Sequence, residues 1–337
     1  MSGMSRAHWQ SRLEAIWYAG APLPWALDVM ARIYARLLSW RRWLYANRVL
    51  RSRRMPVPVI VVGNLSVGGT GKTPLVAAIV AELRQRGWRP GIALRGYGGS
   101  RRRPAVLPTA PQAAQFGDEA VLLARATGVP VAVGRDRAAA AALLLARDCN
   151  LVVCDDGLQH WALARDIEIL VVDGARRFGN QRMLPAGPLR EPVERASRVD
   201  FTVVNGGTAD AGEYPMQVVG SRAIGIGPGA SAIALDALRG RSVHAVAGIG
   251  NPQRFFRMLE AFGITVKRHP LPDHHVFDGS ELGFDDDLPV LITEKDAVKC
   301  AAFAGVGVYV VPVEAELAQE FYERLNSALH RLPENTA

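Results

Sequence analysis

The sequence predicts an α/β protein with a doubly wound, mostly parallel main sheet, a second, smaller α/β domain after it and a basic amphipathic helix before it. Three observations predict this. Short β-branched apolar runs alternate with helical patterns from Pro56 onward. Most of those runs lack a polar side, as strands covered on both faces by helices do. The charge, finally, is segregated: residues 1–54 hold ten arginines against Glu14 and Asp28, which equals the whole formal excess of +8.

The N-terminal arm comes first. Five of the seven tryptophans (Trp9, Trp17, Trp25, Trp40, Trp43) share residues 1–54 with those arginines. Between Pro24 and Leu50, the residues Met30, Ile33, Tyr34, Leu37, Leu38, Leu44 and Tyr45 recur at three- and four-residue steps, with Arg32 and Arg36 on another face. The pattern is that of an amphipathic basic helix. Asp28, Arg32, Arg36, Arg41 and Arg42 interrupt it too often for a spanning helix, and no clean apolar run with a cleavage site follows the start. Tryptophan with arginine suits the headgroup layer of a membrane, where an indole buries its ring and keeps its N–H wet. The same stripe also fits a helix packed on its own domain, with solvated arginines. The neutral body carries no aromatic-basic platform, so no nucleic-acid partner is expected.

In the body, strands are expected at Val57–Val62, Gly91–Leu94, Val129–Val133, Leu151–Cys154, Ile167–Val172, Phe201–Val204, Ser242–Ala247, Pro289–Ile292 and Val306–Val311. The helices between them include Thr73–Arg86, closed by Gly87, Glu119–Ala126, closed by Gly128, Arg137–Arg147, and Pro252–Phe262, opened by Asn251 and closed by Gly263. A glycine- and alanine-rich stretch around residues 206–240 reads as a boundary. It divides the chain into an arm (1–54), a nucleotide-binding domain (55–220) and a smaller domain (221–337), whose last helix, Leu317–Leu332, is free to pack back on the first. With 337 residues, 49% of them hydrophobic, the chain is excluded from wholesale disorder. Three cysteines without ligand spacing (Cys149, Cys154, Cys300) point to buried thiols rather than to disulfides or zinc.

The strongest chemical signal is Ser66-Val67-Gly68-Gly69-Thr70-Gly71-Lys72-Thr73, between the first strand and the first body helix. A triphosphate needs converging backbone N–H groups, which a tight glycine loop supplies and a helix N-terminus reinforces. Lys72, one of only four lysines, is expected on the β- and γ-phosphates, and the Thr73 hydroxyl on Mg²⁺. Ser66 stands where the usual pattern has its first glycine. The apolar strand Leu151–Cys154 delivers Asp155 and Asp156 to the same sheet edge, as partners for the cation. The body therefore reads as P-loop NTPase-like. Val67 replaces the extra lysine of dimerising partition-type ATPases, and Thr293-Glu294-Lys295-Asp296 lacks the asparagine of a guanine-reading strand. A small-molecule kinase fits best, beside a nucleotide-driven switch that binds a membrane or protein partner and a kinase for a soluble metabolite.

The loop from Val62 through Pro74 closely resembles that of the tetraacyldisaccharide 4′-kinase family, the lipid A 4′-kinases of Gram-negative bacteria. The resemblance continues through Arg95-Gly96-Tyr97-Gly98-Gly99, Gly117-Asp118-Glu119, Asp155-Asp156-Gly157-Leu158-Gln159-His160, Asp273-His274-His275 and Thr293-Glu294-Lys295-Asp296, in the family's order. It implies transfer of the γ-phosphate of ATP, with Mg²⁺, to the 4′-hydroxyl of a tetraacylated glucosamine disaccharide 1-phosphate, giving lipid IVA. It also implies a peripheral enzyme at the cytoplasmic face of the inner membrane, with a lipid as its partner and no obligate protein partner. By the same resemblance Asp118 is the base that accepts the hydroxyl proton and His274 its partner. Read alone, Asp118 is the N-cap of the helix Glu119–Ala126 and His274 a loop histidine. Arg95 and Tyr97 are candidates to shape the acceptor pocket, and Arg137, Gln159, His160 and Arg190 to touch phosphate or substrate.

Overall fold

The computed structural model describes residues 6–226, 231–273, 275–300, 303, 305 and 307–333. Two helices, α1 (Arg6–Tyr18) and α2 (Trp25–Ala46), precede a large sheet. That sheet takes β1 (Val59–Gly63), β2 (Pro90–Leu94), β3 (Ala105–Val106), β4 (Val131–Val133), β5 (Leu151–Asp155), β6 (Ile167–Asp173), β7 (Phe201–Asn205) and β8 (Glu213–Val219). A smaller sheet follows, from β9 (Arg222–Gly225), β10 (Ala232–Ala234), β11 (Ser242–Ala247), β12 (Thr265–Pro270), β13 (Val290–Thr293) and β14 (Val308–Val311). The chain then returns to the first sheet with β15 (Glu314–Leu317).

The large sheet runs β15-β8-β7-β6-β1-β5-β2-β4-β3, parallel from β8 to β4 and antiparallel at its two edges. In β1 the pleat sends Ile60 and Val62 to one face and Val59 and Val61 to the other. Every one of these side chains is buried, because helices cover both faces. On the first face lie α3 (Lys72–Gln85), α5 (Asp118–Thr127), reached through the single turn α4 (Ala113–Phe116), and α9 (Gln319–His330). On the second lies α6 (Arg137–Leu145), whose Ala138, Ala141 and Leu144 pack on Val152 and Cys154. The smaller sheet, β10-β9-β14-β13-β11-β12, is covered on one face by α7 (Pro252–Ala261) through Phe255, Phe256 and Leu259, and on the other by Phe277, Leu282 and Cys300, the last from α8 (Glu294–Cys300).

Several elements differ from the sequence reading. The stretch at 206–240, read from sequence only as a boundary, holds β8, β9 and β10, each half-exposed and therefore without the continuous apolar run that marks an inner strand. The edge strand β12 (Thr-Val-Lys-Arg-His-Pro) was hidden for the same reason: none of its residues is buried and its side chains are mostly charged or polar. Leu317 closes β15 rather than opening the last helix, and α9 packs on the large sheet, with Phe321 edge-on to Phe201 at 5.7 Å. Val306, the expected start of the last inner strand, lies outside the described residues.

The arm helix α2 shows two apolar sides. Ala31, Tyr34, Leu38 and Tyr45 turn toward the body, where the Tyr34 hydroxyl donates to the Arg190 carbonyl at 3.0 Å and Tyr45 meets Trp161 edge-on. Trp25, Val29, Met30, Ile33, Leu37, Trp40 and Trp43 are exposed. Among the described residues no helix is long and apolar enough to cross a membrane.

Candidate active site

The phosphate loop leaves β1 at the carboxyl edge of the sheet and enters α3 at Lys72. Two glycines make the turn, Gly68 at φ +107° and Gly71 at φ +92°. At Gly71 a side chain is also excluded by contact, because a Cβ would stand 2.1 Å from Asn205 Nδ2, which donates to the Thr70 carbonyl at 2.9 Å. Ser66, in place of the usual glycine, is buried and bridges to Leu189, and Val67 N donates to the Pro188 carbonyl at 2.9 Å. A side chain is tolerated there because that end of the loop is fastened to the 183–189 segment.

Lys72 Nζ donates to Asn64 Oδ1 at 3.1 Å and lies 3.5 Å from Asp156. Thr73 Oγ1 donates to Asp155 Oδ2 at 3.3 Å. Asp155 ends β5, paired beside Val62 of β1, and Asp156 follows it in a turn at φ +51°, so the parallel pairing brings Asp155, and its neighbour with it, to the loop. Their electrostatics differ. Burial, then the nearby Glu119, pushes Asp155 up to about 7, against the pull of Lys72. Burial also works to raise Asp156, but Lys72, two hydrogen bonds from Arg190 at 3.0 and 2.7 Å, and Arg137 outweigh it and hold this carboxyl well below the usual range.

These groups open onto a cleft of about 590 Å³ between the two sheets. Its floor is the loop, one wall carries Arg95, Tyr97, Glu119 and Arg137, and the other is built by Ile249, Asn251, Arg254, Asp273 and Lys295 of the second sheet. The two sides meet closely. A Cβ on Gly250 would lie 2.8 Å from Gly69 N, and Arg254, on α7, reaches Asp173 at the end of β6 at 2.8 Å. Asn251 Nδ2 donates to the same carboxylate at 3.4 Å.

The structure sorts the predicted residues. Lys72, Thr73, Asp155, Asp156, Arg95, Tyr97, Arg137 and Arg190 line the cleft. Gln159 and His160 stand outside its lining and hold the frame: Gln159 Nε2 donates to the Asn64 carbonyl at 3.1 Å and to Glu191 at 2.9 Å, and His160 Nε2 accepts from Arg137 N at 3.3 Å. Burial, with Arg137 and Arg165 beside it, depresses His160 to about 4, so its ring is a neutral acceptor. Asp118 is the first residue of α5, not its cap. Gly117 takes the cap at φ +90°, where a Cβ would meet the Tyr97 carbonyl at 2.3 Å. His274 lies outside the described residues. Sequence reasoning missed Asn64, Asn205 and the bridges of Asp173 and Lys295. For Asn64 a signal existed, an asparagine ending an otherwise apolar strand just before the loop.

The arrangement can grip a polyphosphate between loop amides, Lys72 and the walls, and present it to a hydroxyl in the cleft. Comparison with known proteins agrees. The family model described as tetraacyldisaccharide-1-P 4′-kinase matches residues 23–330. The tetraacyldisaccharide 4′-kinase of Stenotrophomonas maltophilia is 51% identical over 332 residues, 95% of this chain and 97% of that one. Its counterpart from Methylobacillus flagellatus is 47% identical over 98% of this chain and 99% of its own. The crystal structure of LpxK from Aquifex aeolicus in complex with ATP superposes with a TM-score of 0.75 at 29% identity, covering 91% of this chain and 98% of that one. Loop, paired aspartates and fold thus occur together in a chain that matches its relatives nearly end to end, and the chain belongs to the tetraacyldisaccharide-1-P 4′-kinase family.

Proposed function

We propose that this chain is an ATP-dependent lipid kinase that moves the γ-phosphate of ATP to the 4′-hydroxyl of a tetraacyldisaccharide 1-phosphate, giving the bis-phosphorylated lipid IVA. The observation that carries this reading is the convergence of Lys72, Thr73 and the Asp155–Asp156 pair at one end of the cleft. ATP as donor is supported by the nucleotide bound to the Aquifex aeolicus neighbour.

The residues fit a divalent cation. Asp155 Oδ1 is buried without a hydrogen-bond partner, its other oxygen faces the Thr73 hydroxyl, and burial with Glu119 nearby raises its pKa despite the pull of Lys72. One hydroxyl and one or two carboxylates, with the remaining positions left to phosphate and water, are donors that suit Mg²⁺. When bound, it would neutralise charge on the phosphates.

The chain's own groups supply the rest. Lys72 is poised on Asn64 and Asp156, contacts that an arriving phosphate would replace. Arg190 fixes Asp156 and is itself fixed by Tyr34 from the arm. Asp118, at the start of α5, is the proposed acceptor of the hydroxyl proton, with His274 as its partner. Arg95, Tyr97 and Arg137 line the path of an anionic acceptor. The exposed apolar side of α2 supports peripheral contact with the lipid's membrane.

The test is incubation with ATP, Mg²⁺ and detergent-dispersed acceptor, followed by mass spectrometry. The expected product carries one additional phosphate on the distal sugar. A pure preparation that binds ATP and leaves the acceptor unchanged rejects the reading.

A further inference from the structure

The Thr293-Glu294-Lys295-Asp296 cluster has no role in the account above, and its geometry is unusual. Both acids are committed to backbone and side chains at the end of the second sheet, Glu294 to the connection that leaves β14 and Asp296 to the ends of β11 and β13. Glu294 accepts from Val313 N at 3.1 Å. Asp296, fully buried, accepts from Gly248 N at 2.9 Å and from the Thr293 hydroxyl at 2.7 Å, and its second oxygen lies 2.9 Å from Lys299 Nζ. These bonds lock the first turn of α8 against the end of β11, next to the 248–251 loop that abuts the phosphate loop.

Lys295, between the two anchored acids, points the other way. Its ammonium crosses the cleft to Glu119 Oε1 on α5 at 3.4 Å and reaches Asp273 Oδ1 at 3.1 Å. Burial alone would lower its pKa, but Glu119, Asp273 and Asp118 reverse the sign and raise it, so the group is a cation in the cleft. Glu119 is the residue after Asp118, and it also acts electrostatically on Asp155.

We propose that Lys295 is a positioning residue for phosphoryl transfer: held rigidly by the second sheet, it fixes Glu119, and with it the first turn of α5 that presents Asp118 to the acceptor. The inference rests on the kinase reading. Two neighbouring carboxylates at the mouth of a site that receives a polyphosphate repel one another and the incoming charge, and a fixed cation from the opposite wall sets where they stand. A strap of this kind also ties the register of the two sheets to the chemistry, because displacing the second sheet moves Lys295 and releases Glu119.

Lys295→Met keeps the length and removes the charge. Expected are a kcat lower by about 10- to 100-fold, a KM for ATP within about twofold of the parent because the phosphate loop is untouched, and faster amide exchange across residues 117–123. Lys295→Arg, which keeps charge and reach, should recover at least half of the lost rate on a logarithmic scale and restore the exchange protection. A K295M enzyme with parental kcat overturns the proposal. So does a lost rate that K295R does not recover while exchange at 117–123 stays unchanged. If the parent protein phosphorylates no lipid, the kinase reading fails instead, and the exchange experiment still reports whether Lys295 holds α5.

Discussion

Lys72 and Gly71 show how differently neighbouring residues enter one site. Lys72 contributes charge, and its removal in Lys72→Met should lower kcat by about 10²–10³-fold while a thermal melt changes little, since its present partners, Asn64 and Asp156, keep Arg190. A K72M enzyme with parental turnover would remove this lysine from the phosphate site. Gly71 contributes backbone shape. Gly71→Ala must bear both a positive φ and a Cβ 2.1 Å from Asn205 Nδ2, so a loss of about 1–3 kcal/mol is expected in chemical denaturation, together with weaker ATP binding by calorimetry. Asp118→Asn should cost about 10²–10⁴-fold in kcat with ATP affinity retained. Lys72, Thr73 and the aspartate pair were legible in the sequence because polyphosphate chemistry fixes their spacing along a strand, a loop and a helix. Gln159 and His160 were not legible as frame residues, because nothing local shows that their partners are a carbonyl 95 residues away and a backbone amide on α6. Lys295 was illegible for a related reason: its partners sit on α5 and on a loop, joined only by the folded cleft.

Elements were legible in proportion to how completely they are buried. The inner strands β1 and β5 are apolar until their last residue, and β6 and β11 interrupt their apolar runs only at Glu168 and Asp173 and at Ser242 and His244, so their place in the sequence follows from that pattern. β8, β12 and β15 carry charged or polar side chains, and the first two a proline as well, so only pairing defines them. α9 was expected, but its place on the large sheet depends on β15 delivering it there. Phe321 is fully buried among Phe201 and Tyr214, so Phe321→Ala should destabilise the large sheet by about 3–5 kcal/mol and leave α7 and the smaller sheet's amide protection largely intact. Uniform loss of protection across both sheets would show instead that the two unfold as one. His160, which accepts from the backbone amide that opens α6, gives an acid signature. Its folded pKa lies below the ordinary imidazole value, so between about pH 6.5 and 4 the unfolded chain binds a proton that the folded one refuses, and stability falls as pH falls through that window. His160→Gln, which keeps an acceptor and cannot charge, should flatten that slope in melts recorded from pH 7 to 4. An unaltered slope would place the titrating group elsewhere.

The whole molecule places its net positive charge and most of its exposed large apolar side chains on the same arm. That arm is not a loose appendage: besides Tyr34 on Arg190, the indole of Trp17 donates to the Pro185 carbonyl at 3.1 Å, and Arg42 lies over the Trp161 ring. Deleting residues 1–54 would therefore disturb the site as well as the surface, and substitutions on the exposed side separate the two effects. Trp25, Ile33 and Trp40 are 80%, 53% and 61% exposed and lie on one side of α2, facing away from Tyr34. Half-burying each in a headgroup layer contributes roughly 1 kcal/mol, so the triple serine variant should bind anionic vesicles about a hundredfold more weakly. Its turnover on detergent-dispersed acceptor should stay within a few-fold of the parent, because none of the three lines the cleft. The arginines add a term that salt weakens: raising ionic strength from 0.05 to 0.5 M should reduce binding of the parent to anionic vesicles and barely affect its binding to neutral ones. Vesicle sedimentation measures both. A triple variant that still binds like the parent would mean that α2 does not carry the contact, whatever the fate of the kinase assay.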